Sequence, residues 1–212
     1  MRVPNGVRQV LETKAFHEKK VYLLQALVEK NPEATIIHDF ITAEKYLIKK
    51  NGFRAAKIYE SIASRTNDPS RVGGLVESAH AVLSGLDPAN EMAFSLSFGK
   101  LWSVHLNDQN GLKYDQDKTF GAENLRSAFN QIKVLVENNY GANGEVIGLD
   151  VKAIRTQKIE DCYRHLQNSI EIVKLLEKKV EQFDYEFQKQ CITERNYEKL
   201  ENYVIKLLMG VN

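Results

Sequence analysis

The sequence predicts an α/β fold in which parallel strands alternate with helices, as in part of a (β/α) barrel. Three short apolar segments alternate with longer stretches of helical periodicity: 72–76 (VGGLV), 101–106 (LWSVHL) and 146–151 (VIGLDV). Strands buried on both faces of a parallel sheet are expected to be almost wholly apolar, and these segments are. Each ends at or just beyond a potential ligand, Glu77, His105 or Asp150, at the strand end where such barrels keep their active sites.

Periodicity and turn signals assign the remaining elements. The expected order is a helix over 6–30 ended by Asn31-Pro32, a fourth strand candidate over 34–41, a polar helix over 52–64, the strand 72–76, a helix over 88–98, the strand 101–106, a helix over 122–138, the strand 146–151 and helices from 158 onwards. Four strands amount to about half of an eight-stranded barrel. We therefore expect a partial barrel over 1–157 and C-terminal helices over 158–212 that pack on it.

Composition narrows the classes of function. The chain has 212 residues and a net charge of +1, which gives no reason to expect nucleic acid or an anionic membrane as its partner. Its two cysteines, Cys162 and Cys191, have neither CxxC spacing nor the pattern of a disulfide framework, so a reduced, cytoplasmic setting is expected. There is no apolar run long enough to cross a membrane and no apolar signal core near the N-terminus.

Potential metal ligands concentrate around residues 105–117, which read HLNDQNGLKYDQD. Asp115 and Asp117 point the same way if the chain between them is extended, and one helical turn would place Glu77 and His80 on one face. Crowded carboxylates repel each other, and a divalent cation is the simplest offset. The candidate ligands are Glu77, His80, His105, Asp115, Asp117 and Asp150. A set rich in oxygen with one or two imidazoles suits Mn²⁺, Mg²⁺ or Co²⁺ better than structural zinc.

Each part of this set also has a simpler interpretation. The Glu77/His80 pair could be solvated surface, and the Asp-x-Asp pair could serve a loop or a helix cap. Asp150 interrupts an apolar strand and needs a partner, which Lys152 could supply without any metal. His105 could be a hydrogen-bonded core histidine. Residues 38 and 39, His and Asp, are expected to serve packing in the fourth strand candidate.

Three segments resemble the xylose isomerase-like TIM barrels, in the branch of sugar isomerases related to xylose and L-rhamnose isomerases. They are VESAH (76–80), HLNDQNGLKYDQDKTFGAENLRSAF (105–129) and GLDVKAIRT (148–156). The resemblance is best over 66–157 and corresponds to the C-terminal half of the family's barrel. It implies a two-metal site at the carboxyl mouth of the barrel, where aldose and ketose sugars interconvert by a hydride shift.

The resemblance also implies roles for individual residues. Glu77 would bridge both ions. His80, Asp115 and Asp117 would complete the shell of the catalytic ion, and His105 and Asp150 would hold the other ion. Lys152 would lie beside the substrate oxygens, and Asp117 would orient or deprotonate a water molecule, so the expected catalytic residues are His80, Asp117 and Lys152. The implied metal is Mn²⁺, with Mg²⁺ or Co²⁺ as alternatives.

The sequence departs from the family's pattern in three places. His105 stands where the xylose enzymes have an aspartate. The glutamate ligand of the preceding strand falls on Ile41 in an ungapped count, with Asp39 and Glu44 as nearby substitutes. The first half of the family's barrel, which supplies a substrate-contacting His and Asp, has no counterpart.

Two functions therefore stay open at this level. The first is a metal-dependent monosaccharide isomerase. The second is a truncated or non-catalytic half-barrel that binds metal or a partner without turnover. In either case a homo-oligomer or another partner is expected to cover the open barrel edge. A sugar epimerase, a lyase or an endonuclease acting on abasic DNA is a weaker third option, and the near-zero net charge argues against DNA.

Overall fold

A parallel sheet with its strands in sequential order organises the molecule. The computed structural model describes residues 18–19, 21–34, 36–39 and 64–211. Within them the sheet has four strands in the order β1-β2-β3-β4, and every pairing is parallel. The strands are β1 (Ile36–Asp39), β2 (Val72–Glu77), β3 (Leu101–His105) and β4 (Val146–Gly148). This order follows the sequence without reversal, whereas a doubly wound sheet reverses direction.

Helices fill the connections and follow the last strand. Residues 21–30 are helical and are called α1 here. The other helices are α2 (Ser78–Leu83), α3 (Pro88–Ser97), α4 (Leu125–Glu137), α5 (Arg164–Glu181), α6 (Tyr185–Thr193) and α7 (Tyr197–Met209), with short 3₁₀ turns at Pro69–Arg71 and Ile159–Asp161. No helix in the described part of the chain is long and apolar enough to cross a membrane. The observed architecture is thus mixed α/β with a parallel sheet, as the sequence predicts.

Side-chain caps explain where several helices begin. Asp87 accepts the amide of Asn90 at 2.8 Å and precedes Pro88 at the first turn of α3. Asn124 accepts the amide of Ser127 at 2.9 Å at the start of α4. Glu77 occupies the cap position of α2 but makes no capping bond. Its carboxylate is used elsewhere.

The sequence-based boundaries hold for most elements and fail at the last strand. The segment 146–151 forms a strand only over Val146–Gly148. The expectation that Asp150 interrupts a buried strand is therefore wrong, since its side chain is 47% exposed beyond the end of β4. The strand lies at the edge of the described sheet, so its apolar residues are half-exposed. The predicted helix over 52–64, apart from residue 64, and most of the one over 6–30 lie outside the described residues.

One apolar core joins the sheet to the helices on its flank. Val72, Val76 and Val104 of the sheet are fully buried, as is Phe129 of α4. Phe129 lies 6.0 Å from Phe183, centroid to centroid, so the same core reaches the C-terminal helices. The division into a unit over 1–157 and one over 158–212 stays a prediction.

Close packing between β2 and β3 provides a test of the fold. A Cβ atom at Gly73 would lie 2.0 Å from the Trp102 ring, so Gly73→Ala must displace the indole or the strand. We expect a loss of about 1–3 kcal/mol in the free energy of unfolding, measured in urea, because the core is overpacked. The loss should shrink in a Trp102→Ala background, where the obstruction is gone. An equal loss in both backgrounds would contradict this packing.

Candidate metal centre

The register of the sheet aligns the ends of three neighbouring strands. Glu77 is opposite His105, and His105 is opposite Gly148. Because the strands are parallel, these residues lie at the same carboxyl edge of the sheet. Gly148 offers no side chain, and Asp150 follows it two residues later. In β1, Asp39 pairs with Leu75, two residues short of this row.

The carboxylate of Glu77 lies at the middle of this edge and is 4% exposed as a residue. Its Oε1 is 3.2 Å from Nε2 of His80, and its Oε2 is 3.5 Å from Nδ1 of His105. A buried carboxylate is costly unless charge or hydrogen bonding offsets it. Here each oxygen faces a different imidazole, Oε1 that of His80 and Oε2 that of His105.

Two groups of potential ligands share Glu77. The His105 group consists of Glu77, His105 and Asp150, and the His80 group consists of Glu77, His80 and Asp115. In each group the ligand atoms lie within 4.8 Å of one another. Two carboxylates with one imidazole form a donor set that Mn²⁺, Co²⁺ and related divalent ions accept. The residues present therefore fit two ions with a shared carboxylate.

The imidazole of His80 lies between two carboxylates. Its Nε2 is 2.9 Å from Oδ2 of Asp115 and 3.2 Å from Oε1 of Glu77. The nitrogen can join these oxygens as an N–H donor, or it can be a neutral ligand to an ion that both carboxylates share. The interpretation of Glu77 and His80 as solvated surface is wrong, since their side chains are 5% and 12% exposed.

His105 owes its position to a glycine on the next strand. A Cβ atom at Gly148 would lie 2.9 Å from Cδ2 and 3.3 Å from Nε2 of the imidazole. The ring therefore occupies the space that a side chain on β4 would fill. Its Nδ1 is 3.6 Å from Oδ2 of Asp150. The side chain is 34% exposed, so His105 is not a core histidine.

Asp117 differs from the other predicted ligands because it belongs to neither of the two groups formed by the described residues. It is 2% exposed and has a positive φ of 46°. Its Oδ2 forms an ion pair with Nζ of Lys152, and its backbone oxygen accepts the amide of Lys152 at 2.7 Å. The hydrogen bond that Lys152 donates to Asp117 raises the pKa of Lys152, which keeps that side chain an ammonium. Lys152 therefore pairs with Asp117 and not with Asp150.

The loop that carries Asp115 and Asp117 has its own scaffold. Asp108 and Lys118 close it with an antiparallel bridge. Gln109 Nε2 donates to the carbonyl oxygens of Gly111 (2.9 Å) and Tyr114 (2.8 Å), and Gln109 Oε1 accepts the amide of Gln116 at 3.0 Å. These amides hold the loop in one shape and so set where the two aspartates lie.

Asp108 serves this loop and is not part of either ligand group. Its carboxylate accepts the backbone amides of Gln109 (2.9 Å), Glu123 (2.8 Å) and Asn124 (3.0 Å). Burial raises the pKa of Asp108, and the hydrogen bonds from the backbone oppose that effect. A carboxylate in the dense run 105–117 is thus structural, and density alone does not identify a ligand.

Sequence reasoning missed Asn107, which is 1% exposed and lies between the ligands. Its Nδ2 is 3.1 Å from Oε1 of Glu77, 3.0 Å from Oδ1 of Asp117 and 3.0 Å from the backbone oxygen of Asp150. The one available signal was its place, two residues after His105 at a strand end. Because asparagine is common in loops, the residue type alone does not indicate that Asn107 contacts the candidate ligands.

A concave region lies away from this edge, between α3, α4 and the C-terminal helices. Its charged residues include Arg126 and Lys133. Arg126 pairs with Glu201 at 2.8 Å, and Lys133 pairs with Glu137 at 2.5 Å while its ammonium lies 4.6 Å from the Phe183 ring centroid. Both cations are therefore already paired with carboxylates.

Comparison with known proteins identifies relatives of part of the chain. The chain is 32% identical over 115 residues to the xylose isomerase of Thermus thermophilus. This alignment covers 54% of this chain and 29% of that enzyme. It is 31% identical over 115 residues to the xylose isomerase of Thermus caldophilus, with the same coverage. It is 35% identical over 96 residues to the xylose isomerase of Streptomyces lividans, and this alignment covers 45% of this chain and 24% of that enzyme. No protein-family model matches the chain.

Fold and site together define a parallel α/β protein with a candidate divalent-metal centre at the carboxyl edge of its sheet. Over the stretch that these comparisons cover, the chain is similar to xylose isomerases. It spans less than a third of the length of these relatives, 24–29%.

The contact between His105 and Gly148 gives a direct test of the His105 group. We expect Gly148→Ala to turn the imidazole away and to remove one Mn²⁺ from the stoichiometry measured by isothermal titration calorimetry, because the added Cβ needs the space of the ring. The double variant Gly148→Ala/His105→Asp should recover the lost ion, since a shorter carboxylate avoids the added methyl group. Unchanged stoichiometry in Gly148→Ala would show that His105 does not bind metal.

Proposed function

We propose that this chain carries the metal centre of a sugar isomerase that interconverts an aldose and a ketose with the help of divalent metal ions. The observation that carries this proposal is the pair of ligand groups that share Glu77 at the carboxyl edge of the sheet. Similarity to xylose isomerases over about half of the chain supports the reaction class. The proposed substrate is a free monosaccharide.

The metal ligands of this proposal are Glu77, His80, His105, Asp115, Asp117 and Asp150. Mn²⁺ is the proposed metal, with Mg²⁺ or Co²⁺ as substitutes. When bound, the ions would polarise the oxygens carried by the two sugar carbons between which the hydride shifts. Asp117 would join the shell of the ion in the His80 group. This step requires Lys152 to release the carboxylate with which it pairs.

The chain's own residues would then bind and orient the sugar. Lys152 is 63% exposed and stays an ammonium, so it can donate a hydrogen bond to a substrate oxygen at the mouth of the site. Asp117 is held at 3.0 Å by Asn107 and can accept a proton from a water molecule or a sugar hydroxyl. His80 keeps Asp115 against Glu77 and so maintains the shape of the His80 group.

The wider architecture belongs to the same proposal. We propose that the sheet forms the C-terminal half of a TIM barrel, with the helices of 158–212 packed on it and a partner or second copy at the open edge. The half-exposed side chains of Val146 (53%) and Ile147 (46%) on β4 support a covering partner. Cys162 and Cys191 are free thiols, which supports a cytoplasmic setting.

Removal of the shared carboxylate tests the function. We expect wild-type chain to bind Mn²⁺ in calorimetry and to form ketose from D-xylose or another aldose in a chromatographic assay. Glu77→Gln should abolish turnover and lower Mn²⁺ affinity at both groups, because both depend on this carboxylate. Glu91→Gln is the matched control, as Glu91 is equally buried at 3% exposure but lies on α3 outside both groups. Wild-type chain that binds no Mn²⁺ would refute the proposal.

A second candidate is metal binding without turnover, as in a non-catalytic half-barrel. The exposed apolar edge of β4 favours it, because a complete barrel has no open edge. This candidate predicts stoichiometric Mn²⁺ binding that depends on Glu77, together with no ketose from any aldopentose or aldohexose tested. Formation of ketose that is lost in Glu77→Gln would exclude it.

A further inference from the structure

Asn107 contacts every part of the candidate centre that comes from a different strand or loop. It follows β3, and its Nδ2 reaches Glu77 at the end of β2 and the backbone oxygen of Asp150 after β4. The same nitrogen reaches Asp117 in the loop that follows. Its Oδ1 accepts the amide of Ala79, in the first turn of α2, at 2.7 Å. One side chain therefore ties together the segments that carry the ligands.

The chemistry of an amide suits this position better than that of a charged residue. The NH₂ group has two hydrogens for three acceptors at 3.0–3.1 Å, so the hydrogens are shared and the acceptors stay close to one point. A lysine or arginine there would neutralise the carboxylates and compete with a cation. An aspartate would add a further negative charge with no hydrogen to donate. An amide draws the carboxylates together and leaves their charge available to a metal ion.

We infer that Asn107 is a positioning residue that holds Glu77 and Asp117 in the arrangement needed to bind metal. This inference rests on the proposed function, since it takes the two ligand groups to be metal sites. It goes further by assigning the geometry of the centre to a residue that belongs to neither group. Asn107 acts through the ligands and need not touch metal or sugar itself.

The test compares two buried amides. Gln131 is 3% exposed, accepts a hydrogen bond from Ser78 Oγ at 2.6 Å and donates to Ser127 Oγ at 3.3 Å, outside both groups. In the full chain, we expect Asn107→Ala to weaken Mn²⁺ binding by about 10–100-fold in calorimetry, the usual effect of losing a residue that orients metal ligands. Gln131→Ala should leave the affinity unchanged even though it removes a buried amide of similar size.

A spectroscopic measurement separates positioning from general damage to the fold. With Co²⁺ as the probe, Asn107→Ala should change the visible absorption bands, which report ligand geometry, whereas Gln131→Ala should retain the wild-type spectrum. Equal effects of the two substitutions on affinity, or a wild-type Co²⁺ spectrum in Asn107→Ala, would overturn the inference.

Asn107→Asp covers the case in which the alanine variant does not fold. It keeps the acceptor for Ala79 but replaces the donor by a charge beside Glu77 and Asp117. We expect its melting temperature without metal to fall below that of wild type and Mn²⁺ to raise it by more than in wild type, because the ion offsets the added repulsion. An Mn²⁺-induced shift equal to that of wild type would overturn the inference.

Failure of the proposed function and failure of this inference are distinguishable. If the wild-type chain binds neither Mn²⁺ nor Co²⁺, the proposed function fails and the role of Asn107 fails with it. If the wild-type chain binds metal and the Asn107 variants bind it equally well, only the role of Asn107 is refuted.

Discussion

A buried carboxylate, that of Glu77, is the constraint on which the candidate centre depends. Its burial at the end of a central strand means that its charge must be offset by groups brought in from elsewhere in the fold. One imidazole comes from the following helix and the other from the neighbouring strand. The parallel sheet makes this possible because its sequential order places successive strand ends side by side. The fold and the site are therefore linked through a single side chain.

Neutral amides organise the surroundings of this carboxylate. Asn107 ties the strand ends together, and Gln109 holds the loop through its bonds to two carbonyl oxygens and to the amide of Gln116. Amides supply both donors and acceptors without charge, so they give order to an acidic region without reducing its attraction for cations.

The sequence alone was enough to predict the parallel α/β class, the order of strands and most of the candidate centre. Strands β2 and β3 were predictable because they are almost wholly apolar and end in polar residues. Glu77, His80, His105, Asp115 and Asp150 do meet at one edge. The prediction failed where burial depends on a neighbouring strand, because nothing local in 146–151 shows that it ends at Gly148. It also missed roles that depend on contacts distant in sequence. Asn107 reaches residues 30, 10 and 43 positions away, and the space that Gly148 leaves for His105 is set by a pairing between strands.

The bridge between Asp108 and Lys118 makes the conformation of the loop 108–118 largely independent of the strands. The strand ends around Glu77 lack this independence. Asp108 and Lys118 pair where the loop begins and ends. Most of the hydrogen bonds that hold the residues between them come from within the loop itself. The side chains at their exposed tip, Leu112 and Tyr114, are each 66% exposed and can therefore change in chemistry without moving a strand. Substitutions that alter what enters the site are therefore best tolerated at this tip. A substitution around Glu77 must instead preserve contacts with several strands at once.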